Sequence, residues 1–293
     1  MNNVLRLLGL TGAAGAAALA GEMSLSHCLL ETPVIHLACD GLPAALEGLR
    51  ILHLSDLHCR MWGKSHRRLL EAACGLDPQL VVMTGDMIDR VEDDFGVIWD
   101  LCGQLSRRWP VFFAPGNHEQ RLSSANRSLL YEGMEAMGVT VLLNQKQELA
   151  FGDGRLTLWG LALSTRYERN YINGKNVDVT LTAADVNELL GKADPGVFHL
   201  LLAHNPLFFS AYRRWGANLT LSGHVHGGMV RLPGVGGLLS PERCFFPQYD
   251  GGLYGNSQRQ MYVSRGLSGG PRFLNHPQLP LLVLHHTEKT EKA

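Results

Sequence analysis

Five short apolar runs in this chain end at Asp, Asn or His, and this repeated pattern constrains the fold more than any other feature. The runs lead into SDLH at 55–58, TGD at 84–86, PGNHE at 115–119, HNP at 204–206 and GHVH at 223–226. One polar residue after an apolar run is common in turns. Five such ends are typical of buried parallel strands, whose carboxyl-end loops lie together. The pattern therefore predicts that these loops converge on one site.

The segments between the runs have the alternating rhythm of an α/β protein. Apolar residues at helical spacing predict helices over 65–76, 95–109, 123–137, 182–190 and 207–215, with Ser65 and Thr182 as N-caps. Further strands are predicted over 139–144, 147–151, 156–161, 261–264 and 281–285. The length of 293 residues suits one large α/β domain or two small ones, and we find no linker that divides the chain.

Composition narrows the class of protein. The net charge of -1 argues against a broad basic surface that binds nucleic acid, so nucleic acid is not expected as a partner. The six cysteines include no CxxC pair, so we expect buried apolar residues and neither a disulfide framework nor a zinc knuckle. Cys59 follows His58 directly. It either contacts the site or is turned away by the alternation of side chains along the chain.

The amino-terminal segment indicates contact with a membrane. Residues 4–20 are apolar apart from Arg6, Thr11 and small residues. They fit an uncleaved anchor, a cleaved export signal or an ordinary helix, so the protein is expected to be membrane-associated or exported, on a face that the sequence does not specify. The predicted organisation is a signal or anchor at 1–21, a connecting segment at 22–48, the folded domain at 49–287 and a frayed tail at 288–293.

The residue types at the strand ends suit metal ions. Asp, Asn and His supply oxygen and nitrogen ligands for Mn, Fe, Zn or related divalent ions. Two ions held about 3.5–4 Å apart need a bridging ligand, usually a carboxylate. Asp86 lies in the middle of the ordered set of motifs and is the candidate for the bridging ligand.

The ordered motifs resemble those of the calcineurin-like metallophosphoesterases. That family has DxH, GD, GNH followed by an acid, a separate His and GHxH. This chain has DLH at 56–58, GD at 85–86, GNHE at 116–119, His204 and GHVH at 223–226. The resemblance implies a four-layer α/β/β/α sandwich with an N-terminal leader or anchor. It also implies a hydrolase for phosphoric esters that uses two divalent ions, which are Mn, Fe or Zn.

The resemblance also implies a role for each matching residue. Seven side chains would hold the metals, with Asp86 as the bridge: Asp56, His58 and His226 at the first ion, and Asn117, His204 and His224 at the second. His118 would be a catalytic residue that is not a ligand, and it would stabilise the transition state or protonate the leaving oxygen. Asp89 either orients His118 by a hydrogen bond or is an acid at a helix N-terminus. Glu119 is expected to be a structural hydrogen-bond partner and not a base.

The stretch FPQYDGGLYG at 246–255 resembles bacterial membrane-associated phosphodiesterases. The implied reaction is attack of a metal-bridging hydroxide on the phosphorus of a phosphodiester. One alternative is the UDP-2,3-diacylglucosamine pyrophosphatase of lipid A synthesis, which acts on a lipid-linked pyrophosphate. A second alternative is a non-catalytic, membrane-tethered scaffold that binds metal. The expected partners are one of these small-molecule substrates and a membrane surface contacted by the N-terminus.

A phosphoprotein substrate fits the sequence less well. GDMIDR at 85–90 resembles a motif of Ser/Thr phosphatases, but Pro115 stands where those enzymes carry a phosphate-binding Arg before GNHE. Arg265 and Arg272 are candidates for phosphate contacts, with a structural role as the favoured alternative. The residues that bind substrate are otherwise unknown from the sequence.

Overall fold

The structure is a computed structural model that describes residues 21–89, 95–167, 171–172, 175–176, 179–240, 244–268 and 272–287. The predicted anchor or signal lies outside this part of the chain except for Gly21, and so does the predicted tail. Within the described ranges, no helix is both long enough and apolar enough to span a bilayer.

The described chain alternates between strands and helices. The strands are β1 (Val34–Asp40), β2 (Leu49–Leu54), β3 (Leu80–Met83), β4 (Val111–Phe113), β5 (Val139–Val141), β6 (Gln145–Phe151), β7 (Gly154–Leu161), β8 (Tyr171–Ile172), β9 (Lys175–Asn176), β10 (His199–Ala203), β11 (Leu219–Ser222), β12 (Val230–Leu232), β13 (Gly236–Leu239), β14 (Gly252–Asn256), β15 (Arg259–Val263) and β16 (Leu281–Thr287). The helices are α1 (21–28), α2 (Arg67–Leu76), α3 (Gly96–Ser106), α4 (Asn117–Arg121), α5 (Ser124–Ala136), α6 (Ala183–Leu190) and α7 (Phe209–Trp215).

The first sheet has the strand order β1-β16-β2-β3-β4-β5. Strands β2 to β5 run parallel, whereas β16 is antiparallel to β2 and parallel to β1. The segment 22–48, which the sequence predicts to be a connection, contains β1, the edge strand of this sheet. Buried or half-buried residues alternate with exposed ones along β1, which explains why it lacks a continuous apolar run.

The second sheet has the order β14-β15-β11-β10-β7-β6. Its four inner strands are parallel, and the two edge strands β14 and β6 are antiparallel to their neighbours. Strands β12 and β13 form a separate antiparallel hairpin, and β8 pairs with β9. Parallel and antiparallel pairs therefore occur together, which confirms the predicted mixed α/β class.

The inner strands are buried on both faces. In β3, Leu80 and Val82 belong to an apolar cluster between the two sheets, and Val81 belongs to the cluster under α2, α3 and α5. In β10, Leu200 joins the central cluster, and Leu201 joins the cluster under α6 and α7. Successive side chains point to opposite faces, so both layers need apolar residues. The layers follow the order helix, sheet, sheet, helix.

The predicted helices are present with ends shifted by a few residues. Thr182 is confirmed as an N-cap, because its side-chain oxygen accepts a hydrogen bond from Asp185 N and the Asp185 carboxylate accepts one from Thr182 N. Ser65 is not a cap. It lies inside a short 3₁₀ turn (Lys64–His66), and α2 begins after His66 without a side-chain cap.

Candidate metal centre

The polar ends of the five apolar runs meet at one edge of the molecule. Strands β2, β3 and β4 are parallel neighbours in the first sheet, and β10 and β11 are parallel neighbours in the second. Their carboxyl-end loops bring together three groups of side chains whose ligand atoms lie within 4.8 Å of one another. These groups are Asp56, His58 and His226; His58, Asp86 and His118; and Asp86, His204 and His224.

Five of the seven predicted ligands have a left-handed backbone. The φ angles are 51° for Asp56, 49° for His58, 51° for Asp86, 73° for His224 and 54° for His226. This region is unfavourable for residues other than glycine, at about 1–3 kcal/mol each, and such strain persists only where surrounding contacts impose it. The loops are therefore held in unusual conformations at the residues that carry the candidate ligand atoms.

Asp86 occupies the centre of the site. Its Oδ2 lies 3.2 Å from Nε2 of His204, 3.8 Å from Nε2 of His118 and 3.9 Å from Nε2 of His58. Its other oxygen accepts a hydrogen bond from His118 N at 2.8 Å. A Cβ at Gly116 would overlap this oxygen, so the glycine of GNH permits the close approach. One oxygen of Asp86 is thus fixed by the backbone and the other faces histidines of both sheets.

Asp56 connects the loops of the two sheets. Both of its oxygens accept from His224 N, at 3.0 and 3.1 Å, and Oδ1 lies 3.4 Å from Nε2 of His226. The carboxylate is fully buried. A Cβ at Gly223 would overlap Asp56 Oδ2, which is why the GHxH motif begins with glycine here. The contact is possible only when the β2 loop and the β11 loop lie against each other.

Three buried polar atoms of predicted site residues lack a hydrogen-bond partner within the described chain, namely Nε2 of His58, Oδ1 of Asn117 and Nδ1 of His118. Buried polar atoms normally have a partner, and each orphan costs about 1–3 kcal/mol. The imidazole nitrogen of His58 and the amide oxygen of Asn117 are of the kinds that bind divalent cations. The residues present therefore fit the metals that the family resemblance implies.

The charges of the site also favour cations. Burial would raise the pKa of Asp86, but nearby histidines, with His204 foremost, hold it well below its usual value. Burial would lower the pKa of His204, but the Asp86 and Asp56 carboxylates raise it to about 10. The two carboxylates therefore favour the protonated form of this buried imidazole. A divalent ion would satisfy the same negative charge.

Neighbouring residues fix the orientation of two histidine rings. Nδ1 of His204 lies 2.6 Å from Thr84 O, and Nδ1 of His226 lies 2.9 Å from Ser268 Oγ. In both residues Nε2 is left to face the carboxylates. Ligand histidines usually bond through the second nitrogen in this way. Thr84 begins the TGD motif at 84–86, but the sequence predicts no orienting role for Thr84 or for Ser268, which follows β15.

Glu119 ties two of the loops together. Its buried carboxylate accepts hydrogen bonds from the backbone nitrogens of Asp86, Met87, Ile88 and Gly116, at 2.8 to 3.3 Å. These bonds join the loop after β3 to the loop after β4. Glu119 therefore has the structural place expected from the sequence, and both of its oxygens are occupied by backbone donors.

His118 lies beside the candidate ligands with its Nε2 toward Asp86. Its Nδ1 is 3.5 Å from Asp89 Oδ1, which is an ion-pair distance without hydrogen-bond geometry. The helix-terminus alternative for Asp89 depends on residues 90–94, which lie outside the described part of the chain, so both alternatives for Asp89 stay open. Burial lowers the pKa of His118 to about 4. The non-ligand role of His118 stays a prediction, since its distance to Asp86 equals that of His58 within 0.1 Å.

Three other candidates lie apart from the ligand groups. Cys59 packs against the helix-side apolar cluster, so the backbone turns it away from the metals. Arg265 forms an ion pair with Glu31. Arg272 is buried and donates to backbone carbonyls that include Arg265 O and Ser268 O. Both arginines thus have structural partners, which agrees with the alternative favoured from the sequence.

Comparisons with known proteins agree with this geometry. A family model described as Calcineurin-like phosphoesterase matches residues 49–228. The metallophosphoesterase YkuE of Bacillus subtilis is 26% identical over 295 residues, covering 96% of each chain. Phosphodiesterase YaeI of Escherichia coli is 27% identical over 240 residues, covering 80% of this chain and 82% of that one. A transmembrane protein with metallophosphoesterase domain from Danio rerio is 28% identical over 79% of this chain and 51% of its own length.

Proposed function

The chain belongs to the calcineurin-like phosphoesterase family, whose members hydrolyse phosphoesters, and we propose that its reaction is the hydrolysis of a phosphodiester at two divalent ions. The observation that carries the proposal is the position of Asp86 Oδ2, within 4 Å of Nε2 atoms from histidines of both sheets. A carboxylate so placed suits a bridge between two ions.

Seven residues would hold the ions. Asp56, His58 and His226 would bind the first ion, Asn117, His204 and His224 would bind the second, and Asp86 would bind both. When bound, two divalent ions lower the pKa of a coordinated water and neutralise charge on a phosphoryl group. The donor set of nitrogens, carboxylates and one amide oxygen suits Mn, Fe or Zn.

The residues that are not ligands would position the ester and assist the leaving group. His118 presents Nε2 to the site, and Asp89 near its Nδ1 would fix the orientation of the ring. We assign to His118 the role of donating a hydrogen bond or a proton to the leaving oxygen. Glu119 would keep the loop of His118 aligned with the loop of Asp86.

We propose a diester as the substrate in preference to a monoester. The name of the Escherichia coli relative, a phosphodiesterase, supports the same substrate class.

The alternative substrate is UDP-2,3-diacylglucosamine, which the stretch at 246–255 brings into consideration. Its acyl chains would require access from a membrane.

We also propose that residues 4–20 attach the protein to a membrane. The apolar sequence supports this, and so does the name of the Danio rerio relative. The second alternative, a metal-binding scaffold, keeps the ligands but performs no hydrolysis.

The test is a metal-dependent assay on the full chain in mild detergent. The metal-free protein should be inactive, and Mn²⁺, Fe²⁺ or Zn²⁺ should restore hydrolysis of bis-p-nitrophenyl phosphate above that of p-nitrophenyl phosphate. The same ions should raise the unfolding temperature, because a ligand at 100 times its Kd adds about 2.7 kcal/mol to stability.

Each alternative has its own outcome in this assay. Faster turnover of the monoester would reject the diester preference, and selective turnover of UDP-2,3-diacylglucosamine would favour the pyrophosphatase. An increase in unfolding temperature without hydrolysis of any of these esters would favour the scaffold.

A further inference from the structure

The apolar residues of helix α1 face outward, which reverses the usual pattern of a surface helix. Met23 and Leu25 are 44% and 57% exposed, and Leu29, just after the helix, is 50% exposed. Ser26 is instead buried and donates a hydrogen bond to Glu22. Ser26 of α1 therefore faces the protein, whereas Met23 and Leu25, together with Ser24, face outward.

The loop that contacts α1 continues to a second group of exposed apolar side chains. Leu274 N donates to Glu22 Oε1, and the adjacent Phe273 forms a bridge with Val230 of β12. The turn of the β12–β13 hairpin then presents Val235, which is 60% exposed. Helix α1 and the hairpin are thus joined through one short loop.

Phe245 and Phe246 extend the hairpin on its other edge. Phe245 forms a bridge with Leu239, and Phe246 N donates to Leu238 O. They are 67% and 62% exposed, the highest values among the large apolar side chains that the structure describes. Leaving apolar area in water costs about 25 cal/mol per Å², and contiguous exposed patches mark interaction sites. We call α1, the β12–β13 hairpin, Phe245, Phe246 and Leu274 the α1–hairpin surface.

A basic stretch borders this surface. Residues 60–68 carry four basic side chains and no acidic one, namely Arg60, Lys64, Arg67 and Arg68. Arg60 and Arg68 donate to the carbonyls of His27 and Cys28 at the end of α1, which places the stretch against that helix. An apolar surface next to concentrated positive charge matches a bilayer with anionic headgroups.

We propose that the α1–hairpin surface docks on a lipid bilayer that contains anionic headgroups. The apolar residues 4–20 directly precede α1 in the chain, so this surface adjoins the segment with the strongest membrane character. The hairpin begins just after His226, and the Asn275 side chain donates to His226 O and Gly228 O. Docking therefore holds the metal centre beside the bilayer. Insofar as the proposed function is correct, an ester with a lipid portion can enter from it.

The experiment measures the depth of one side chain in vesicles. The full-chain variant Phe245→Trp is reconstituted into vesicles with brominated lipids, which quench nearby indoles. The matched control is Leu129→Trp, because Leu129 is 47% exposed on α5, outside the α1–hairpin surface. Subtracting wild-type fluorescence gives the added tryptophan alone. We expect Phe245→Trp to lose most of its added fluorescence in anionic vesicles and Leu129→Trp to keep most of it.

Other outcomes would overturn the proposal. Equal quenching of the two variants would reject a specific docking surface. A blue shift for Phe245→Trp without bromine quenching would mean that another protein segment or a second copy covers the phenylalanines. Quenching that is the same with purely zwitterionic lipid would reject the requirement for anionic headgroups. None of these results depends on hydrolysis, so they are separate from the test of the proposed function.

A second variant links the surface to substrate access. Phe245→Ser combined with Phe246→Ser should leave turnover of bis-p-nitrophenyl phosphate unchanged, because both side chains are mostly exposed and neither belongs to the candidate ligand groups. The double variant should lose its ability to hydrolyse a phosphodiester that is embedded in vesicles. Equal losses on both substrates would contradict a role in access from the bilayer.

Discussion

The two sheets contribute different chemistry to one site. The first sheet carries every candidate oxygen ligand and one candidate nitrogen ligand, whereas the second carries only histidines: Asp56, His58, Asp86 and Asn117 on one side, and His204, His224 and His226 on the other. The loops meet through the contacts of Asp56 and Asp86 with histidines of the second sheet. The second sheet offers no candidate carboxylate, and the first offers only one of the four candidate histidine ligands, so the candidate site needs both sheets. The apolar core between the sheets therefore aligns the site as well as stabilising the fold.

Asp86→Ala should have the largest effect, because one oxygen of Asp86 lies within 4 Å of histidine nitrogens from both sheets. We expect loss of most bound metal, as measured by elemental analysis, and loss of detectable hydrolysis. Asp153→Ala, which changes an exposed aspartate between β6 and β7, is the control and should behave as wild type. If Asp86→Ala kept a full metal content, the bridging role would be wrong.

His118→Ala separates catalysis from metal binding within the first sheet. Metal content should stay at the wild-type level, and turnover should fall by about 10²–10⁴-fold, the usual contribution of a general acid. The measurements are elemental analysis and turnover of the diester. A wild-type rate would remove His118 from catalysis, and loss of metal would instead make it a ligand.

Ser268→Ala sharpens the comparison on the side of the second sheet. Ser268 Oγ contacts Nδ1 of His226, and removing such a partner lowers metal affinity by about 10–100-fold. Titration of the metal-free protein with Zn²⁺ measures the change. Ser240→Ala is the control, because Ser240 is also buried but accepts its hydrogen bond from Cys244. If the two variants bound Zn²⁺ with equal affinity, the orientation of His226 would depend on its own loop and not on Ser268.

Much of the fold can be predicted from the sequence because the inner strands are short, buried and mostly apolar. Such strands are stable only inside a sheet, and their ends mark the loops that follow. Edge elements are less predictable. Strand β1 has the alternating burial of an edge, and its sequence predicts only a connection. Its place beside β16, from the other end of the chain, is not visible in local sequence.

The candidate ligands could be predicted, but their supporting partners could not. His204 and Asp86 belong to ordered motifs, so their residue types and order were informative. Ser268 is an ordinary serine whose role depends on the position of His226. The outward apolar face of α1 was equally hidden, because residues 21–29 alone do not reveal which side docks on the protein.

By itself, the sequence determined that polar ligand residues follow buried strands and gather at one edge, since parallel strands align their carboxyl ends. Only the tertiary structure decided which atoms face one another. The ring of His204 is oriented by Thr84, 120 residues away, and that of His226 by Ser268, 42 residues away. Hydrogen bonds of this kind form only after the chain has packed, because their directions depend on neighbours that no local pattern specifies.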